Sequence, residues 1–316
     1  MRNYDREVIE ELIFPSLEEA ETPKNVLGYN QWSYTQDGRY IPALPTVKEI
    51  PAGFYKVKYD SAIGGYHLAS KVVSTDELYE LPSDELVDII EDIKKFWENR
   101  HKYKQYNFIH KRGILLYGDP GAGKSGIIQL CTKNLINEQG GIVISIADSN
   151  DIENYVNFIQ KLRAVEPERP LIVIMEDIDA IAGDNSWAAS QLLNMLDGVD
   201  QIENVVYIAT TNYPEKLADR ITNRPSRFDR RYEVEMPTDL VRESYIANKL
   251  TEEDLKEIDV KLWVEKTAGM SLAHLRELIV SVITLGNTFE ETIDRLNGLK
   301  IKPRIKSNKG GIGFGK

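Results

Sequence analysis

Between residues 113 and 237, apolar runs of strand length alternate with stretches of helical periodicity. "ILLY" (114–117), "IVISIA" (142–147), "LIVIM" (171–175) and "VVYIAT" (205–210) are short and predominantly apolar. That is the pattern of strands buried on both faces. Their alternation with helices predicts an α/β core over residues 83–237, a parallel sheet flanked by helices. The pattern changes on either side. In "FYKVKYD", Tyr55, Val57 and Tyr59 alternate with Lys56, Lys58 and Asp60, a period of two that predicts a half-buried strand. "SAIGG" then supplies a turn and "YHLASKVV" a return strand. Val8, Ile9, Leu12 and Ile13 fall at helical spacing within 1–22. Residues 1–82 are therefore expected to form a helix and a small β-rich domain for a substrate or adaptor. Pro82-Ser83 opens a helix whose Leu86, Ile89, Ile90, Ile93, Phe96 and Trp97 share one face. Its acids come early and its bases late, matching the helix dipole. Beyond Pro237 the pattern is helical only, over 239–250, 271–285 and 288–297. That predicts a helical lid at 238–299, and the Gly- and Lys-rich residues 300–316 read as a tail that orders on binding.

Composition narrows the class. At 316 residues and 42% hydrophobic, the chain can bury more than one core. No window approaches an apolar membrane span, and the first residues lack the apolar block of a signal peptide. Cys131 is the one cysteine; it excludes an intrachain disulfide and fits a reducing, cytoplasmic setting. His67, His101, His110 and His274 have no second ligand at metal spacing, so no structural zinc is expected. The net charge of −11 argues against broad nucleic-acid binding. Against that, the tail holds Lys300, Lys302, Arg304, Lys306, Lys309 and Lys316 and no acid, which keeps a narrow contact with DNA or RNA open.

The strongest chemical signal is "GDPGAGKS": Gly118, Asp119, Pro120, Gly121, Ala122, Gly123, Lys124 and Ser125, followed by Gly126. It stands between a predicted strand and a predicted helix. Its glycines let backbone N–H groups curl around phosphate oxygens, and the helix start adds its positive end. Lys124 is placed for the β- and γ-phosphates of ATP and the Ser125 hydroxyl for Mg2+. Downstream, the apolar run of "LIVIMEDIDA" ends in Glu176, Asp177 and Asp179. Alone, such acids often mark only where a core strand returns to water. Beside a phosphate loop they supply the carboxylates that Mg2+ and an attacking water require.

In order and spacing, "RGILLYGDPGAGKS", "LIVIMEDID", "LLNMLDGV", "VVYIATTN" and "NRPSRFDRRYEVEMP" resemble an AAA ATPase module, one family of the P-loop NTPases, across about residues 100–285. Within it the chain most resembles the mitochondrial AAA translocase of the folded Rieske protein, which shares the Glu-Asp order of the acidic pair. Small soluble proteins of this kind resemble ones encoded by bacteria and their phages. The resemblance implies that Glu176, with Ser125, stands on the Mg2+ side and Asp177 on the water side. It makes Asn212 the polar sensor and Arg224 and Arg227 the arginine fingers. It also places Ala273 and His274 near the base, although His274 equally reads as a cap or packing residue. Fingers that act on a neighbour's nucleotide imply a homo-oligomeric ring of six or seven subunits. A threading loop of aromatic, apolar residue and glycine is missing after "IVISIA". Tyr155 and Phe158 there read as core, and "AGDNSW" with Trp187 is the alternative pore segment. The expected function is a Mg2+-dependent ATPase that remodels or moves a macromolecule, protein first, as a molecular chaperone does. A nucleic-acid motor or loader and an ATP-gated scaffold are the alternatives.

Overall fold

The computed structural model describes residues 32–34, 40–42, 46–62, 64–71, 81–182, 186–197, 201–217 and 227–299. The helix expected within 1–22, Arg224 and the basic tail fall outside them. The chain divides into two compact units, with the boundary between Glu235 and Met236.

In the first unit, β1 (Trp32–Tyr34) and β2 (Tyr40–Pro42) form a separate antiparallel pair. The main sheet contains β3 (Gly53–Asp60), β4 (Gly65–Ser70), β5 (Lys111–Tyr117), β6 (Ile142–Ile146), β7 (Leu171–Met175), β8 (Val205–Thr211) and β9 (Arg230–Glu233). Its order is β4-β3-β6-β7-β8-β5-β9. All pairs are parallel except β3 with β4. The helices of this unit are α1 (Asp84–Glu98), α2 (Arg100–Gln105), α3 (Lys124–Gln139), α4 (Ser149–Val165), α5 (Ile178–Ala182) and α6 (Ser186–Asp197).

The four apolar runs become β5, β6, β7 and β8, and every residue of β7 and β8 is buried. Residues 53–70 differ from the expectation of a separate small β domain. β3 pairs in parallel with β6, Tyr55 opposite Ile144, so the hairpin extends the main sheet. The physical reason lies in its alternation: Tyr55 and Val57 turn into the core shared with Tyr155 and Ile159 of α4, while Tyr59 reaches solvent. Ser83 caps α1 by accepting the Leu86 N–H, and Asp92 on that helix receives a bidentate pair of bonds from Arg112 at the start of β5. Gly113 in β5 is required by close approach: a Cβ there would lie 1.8 Å from the Arg227 carbonyl oxygen.

The second unit is helical: α7 (Asp239–Lys249), α8 (Asp254–Glu257), α9 (Val260–Lys266), α10 (Leu272–Ile279), continued by a π-helical turn over Val280–Thr284, and α11 (Phe289–Leu299). Its own core gathers Ile246, Trp263, Met270, Leu275, Leu278 and Leu296, with Phe289 stacked on Trp263.

Candidate nucleotide-binding site

The parallel register brings three loops to one edge of the sheet. Tyr117, the last residue of β5, lies opposite Thr211 of β8, and Met175 of β7 lies opposite Ala209. The segments that follow, starting at Gly118, Glu176 and Asn212, therefore leave the carboxyl ends of neighbouring strands, where open α/β sheets place ligands. Together they line a cleft of about 340 Å3.

The phosphate loop is shaped by two glycines in particular. Gly118 has φ +150°, and a Cβ on it would meet the Val234 carbonyl oxygen at 2.2 Å. Gly123 opens α3 from φ 117° without a side-chain cap, so the helix's first N–H groups remain available to an anion at its positive end. Lys124 is 7% exposed, and its ammonium donates to the carbonyl oxygens of Gly118 and Asp119, at 2.8 Å each. It thus folds back over the loop it belongs to. Behind the loop, burial pushes the Cys131 thiol on α3 up to about 12.

Two contacts organise the acids. The Ser125 hydroxyl donates to Glu176 Oε1 at 2.8 Å. The Asn212 amide donates to Asp177 Oδ1 at 3.1 Å. The first contact brings together two hard oxygen donors beside a phosphate loop, a donor set that fits Mg2+ bound to nucleotide phosphates. The second joins a carboxylate to a carboxamide one strand away. Asp177 has φ +49°, the left-handed region, where a non-glycine residue costs about 1–3 kcal/mol. Asp and Asn enter that region more readily than other residues with a Cβ. The short acid in second place of the Glu-Asp pair suits that backbone. Its N–H donates to Thr210 Oγ1 at 3.1 Å. One residue on, Thr211 Oγ1 donates to Asp179 Oδ1 at 2.5 Å and accepts the Tyr213 N–H at 2.9 Å.

Ser125, Glu176, Asp177 and Asn212 thus meet in one cleft with Lys124 and the loop glycines. Arg227 does not join them. It is 6% exposed and forms a bidentate pair with Asp197 at the end of α6, Nε to Oδ2 at 2.9 Å. Here its guanidinium is bonded within its own chain, an arrangement that favours a structural anchor over the second finger that the resemblance implies. The sequence reads Arg227 as part of a finger segment, and nothing in it points to the partner carboxylate of Asp197, thirty residues earlier. Ala273 and His274 belong to the second unit. There Ser271 caps α10 by accepting the His274 N–H, and its hydroxyl meets His274 Nδ1 at 2.7 Å. Tyr155 is fully buried and Phe158 packs against the same core, while Trp187 on α6 is 44% exposed. The sequence does not single out Thr210 or Thr211, nor does it link Asp179 to either. The signal was present in "ATTN" and "EDID", but a hydroxyl's partner across two strands has no one-dimensional trace. Among the described residues no group of three His, Cys, Asp or Glu is placed to hold a metal, and no helix is long and apolar enough to cross a membrane.

Comparison with known proteins bears on this geometry. Residues 114–236 match the ATPase family associated with various cellular activities (AAA). Over 214 residues the chain is 31% identical to an ATP-dependent zinc metalloprotease FtsH 1 of Conexibacter woesei, a stretch covering 62% of this chain and 32% of that protein. It is 29% identical over 214 residues to a putative cell division cycle ATPase of Plasmodium falciparum, 63% of this chain and 17% of that one. It is 30% identical over 244 residues to an FtsH 2 of a Thermoanaerobacter species, 69% and 47%. The chain thus spans half or less of these relatives' lengths. The His-Glu-x-x-His run of many zinc proteases does not occur in the sequence.

Proposed function

We propose a function from one premise: residues 114–236 are an AAA ATPase domain, an ATP hydrolase that works with ATP and Mg2+. In our reading the chain assembles into a homo-oligomeric ring and hydrolyses ATP where subunits meet, so that each turnover shifts the ring's grip on a protein partner. The observation that carries it is the pair of contacts in one cleft, Ser125 with Glu176 and Asp177 with Asn212. Ser125 and Glu176 would hold Mg2+, which neutralises charge on the β- and γ-phosphates when bound. The Lys124 ammonium leaves the loop carbonyls for the phosphate oxygens. Asn212 orients a water beside Asp177, whose carboxylate takes a proton as the water oxygen bonds to the γ-phosphorus. The bond to the ADP oxygen breaks, and ADP leaves with the electron pair. Arg224 of a neighbouring subunit is the group we assign to the charge that develops in that step.

The nearness to the Rieske-protein translocase rests on the Glu176-Asp177 order and on the segment after β6, which has no glycine. That segment is α4, with Tyr155 turned into the core, which favours moving a partner without threading an extended chain. A second reading, contact with nucleic acid, draws on the six basic residues of 300–316. Its mark is ATPase stimulation by DNA that falls with salt and vanishes on truncation at residue 299.

The deciding experiment is steady-state ATPase activity against protein concentration for wild type, Arg224→Ala and Asp177→Asn. Specific activity that rises with concentration and is lost in both variants supports the shared site. Full activity in Arg224→Ala removes the finger. A wild type that binds ATP without turnover favours an ATP-gated scaffold.

A further inference from the structure

We infer that Thr210 and Thr211, the last two residues of β8, are positioning residues that set the geometry of Asp177 and Asn212 for the attack of water. The inference rests on the reading of those two as the water-side acid and the sensor. Both threonines are buried, 3% and 0% exposed, and a buried hydroxyl without a partner is costly. Both hydroxyls instead bond to the segment after β7, and that of Thr211 bonds to the loop after β8 as well.

Thr210 Oγ1 accepts the N–H of Asp177. That residue occupies a left-handed backbone conformation at φ +49°, which its surroundings must hold. The bond comes from the neighbouring strand, so the carboxylate's direction is set by β8 as well as by its own turn. Thr211 works on the other side. Its proton goes to Asp179 Oδ1, which leaves the oxygen to accept the Tyr213 N–H. The bond closes a tight turn with Asn212 in the middle, the side chain that reaches Asp177 Oδ1. The three acids of "EDID" therefore have three settings: Glu176 on Ser125, Asp177 on Asn212, and Asp179 on the hydroxyl that shapes the Asn212 turn.

Valine keeps the β-branching and volume of threonine but removes the hydroxyl, and serine keeps the hydroxyl. The test compares Thr210→Val, Thr210→Ser, Thr211→Val and Thr211→Ser with wild type in the full chain. Three quantities are read: kcat, KM for Mg·ATP, and direct binding of a fluorescent ATP analogue. We expect kcat to fall about tenfold or more in each valine variant, with binding unchanged within about twofold and serine recovering most of the loss, as for a group that acts on the chemical step. Valine variants with wild-type kcat, or serine variants no better than valine, overturn the inference. So does a loss of analogue binding in step with kcat. Should the wild type bind ATP and never hydrolyse it, the hydrolysis reading falls and crystal structures of the variants decide the positioning. If the hydrogen bond between Asn212 and Asp177 is broken in the valine variants and kept in the serine variants, the positioning role stands. If it is intact in valine, that role is refuted.

Discussion

Asp197 and Arg227 form a charge pair with side chains 13% and 7% exposed. Removing one member of such a pair strands the other charge away from water, so we expect Asp197→Ala to lose about 3–5 kcal/mol of stability in urea unfolding. Replacing both members by Leu and Met fills similar volume without a stranded charge and should recover most of that loss. The double variant also separates structure from catalysis. If it is stable and hydrolyses ATP normally, Arg227 is a structural anchor; if it is stable and inactive, its burial is exchanged for an interfacial role during the cycle. Lys124 gives a second prediction at this scale. Saturating Mg·ATP at about 100 times its dissociation constant stabilises a site by about 2.7 kcal/mol. Wild type should therefore melt several degrees higher with Mg·ATP, by differential scanning fluorimetry, and Lys124→Ala should show little of that shift. Chelating Mg2+ should shrink the shift in wild type. Residue identity was the most legible layer of the site: the glycines, Lys124 and the acids each announce their chemistry through type and spacing. What the sequence hid was conformation, such as the left-handed turn at Asp177 and the inward direction of Arg227.

Secondary elements were legible for a related reason. A strand buried on both faces must be a run of apolar residues, and β5 to β8 are such runs. A half-buried strand shows its alternation but not its neighbour, which is why β3 and β4 read as a separate domain although β3 lies against β6. The contact between α4 and β8 carries the prediction at this scale. Tyr155 and Tyr207 lie with their phenol oxygens 3.3 Å apart, both fully buried. Burial pushes the Tyr207 phenol up to about 12 and Tyr155 well above the ordinary phenol range. Their folded-state values are raised, so between pH 10 and 12 the unfolded chain loses protons that the folded chain keeps. Stability attributable to the pair is complete below about pH 10 and falls as pH rises through that window. Cys131, raised from 9.0 to about 12, adds a loss of the same sign that begins nearer pH 9. Urea midpoints measured from pH 8 to 11 should decline on this alkaline limb. Tyr207→Phe should make the decline shallower while costing about 1 kcal/mol at neutral pH for the lost hydrogen bond.

At the scale of the whole molecule, a P-loop, two acids and a sensor already converge within one subunit, and the group we assign to a neighbour is the finger Arg224. Two defective chains can test that division of labour. An Asp177→Asn subunit lacks the water-side acid but still offers Arg224, whereas an Arg224→Ala subunit lacks the finger and keeps its acid. Neither variant alone builds a complete interface in a symmetric ring. In an equal, random mixture about a quarter of the interfaces join an intact acid to an intact finger, because heterologous contacts draw their two halves from different subunits. We therefore expect mixing to restore roughly a quarter of wild-type ATPase activity on the timescale of subunit exchange, and covalent cross-linking before mixing to abolish the recovery. If the mixture stays as inactive as its parts although exchange is demonstrated by fluorescence energy transfer, acid and finger do not meet across subunits. Recovery would tie the cleft at the edge of β5, β7 and β8 to assembly, since a chain with Lys124, Ser125, Glu176 and Asn212 intact would then be regaining turnover from a neighbour's arginine.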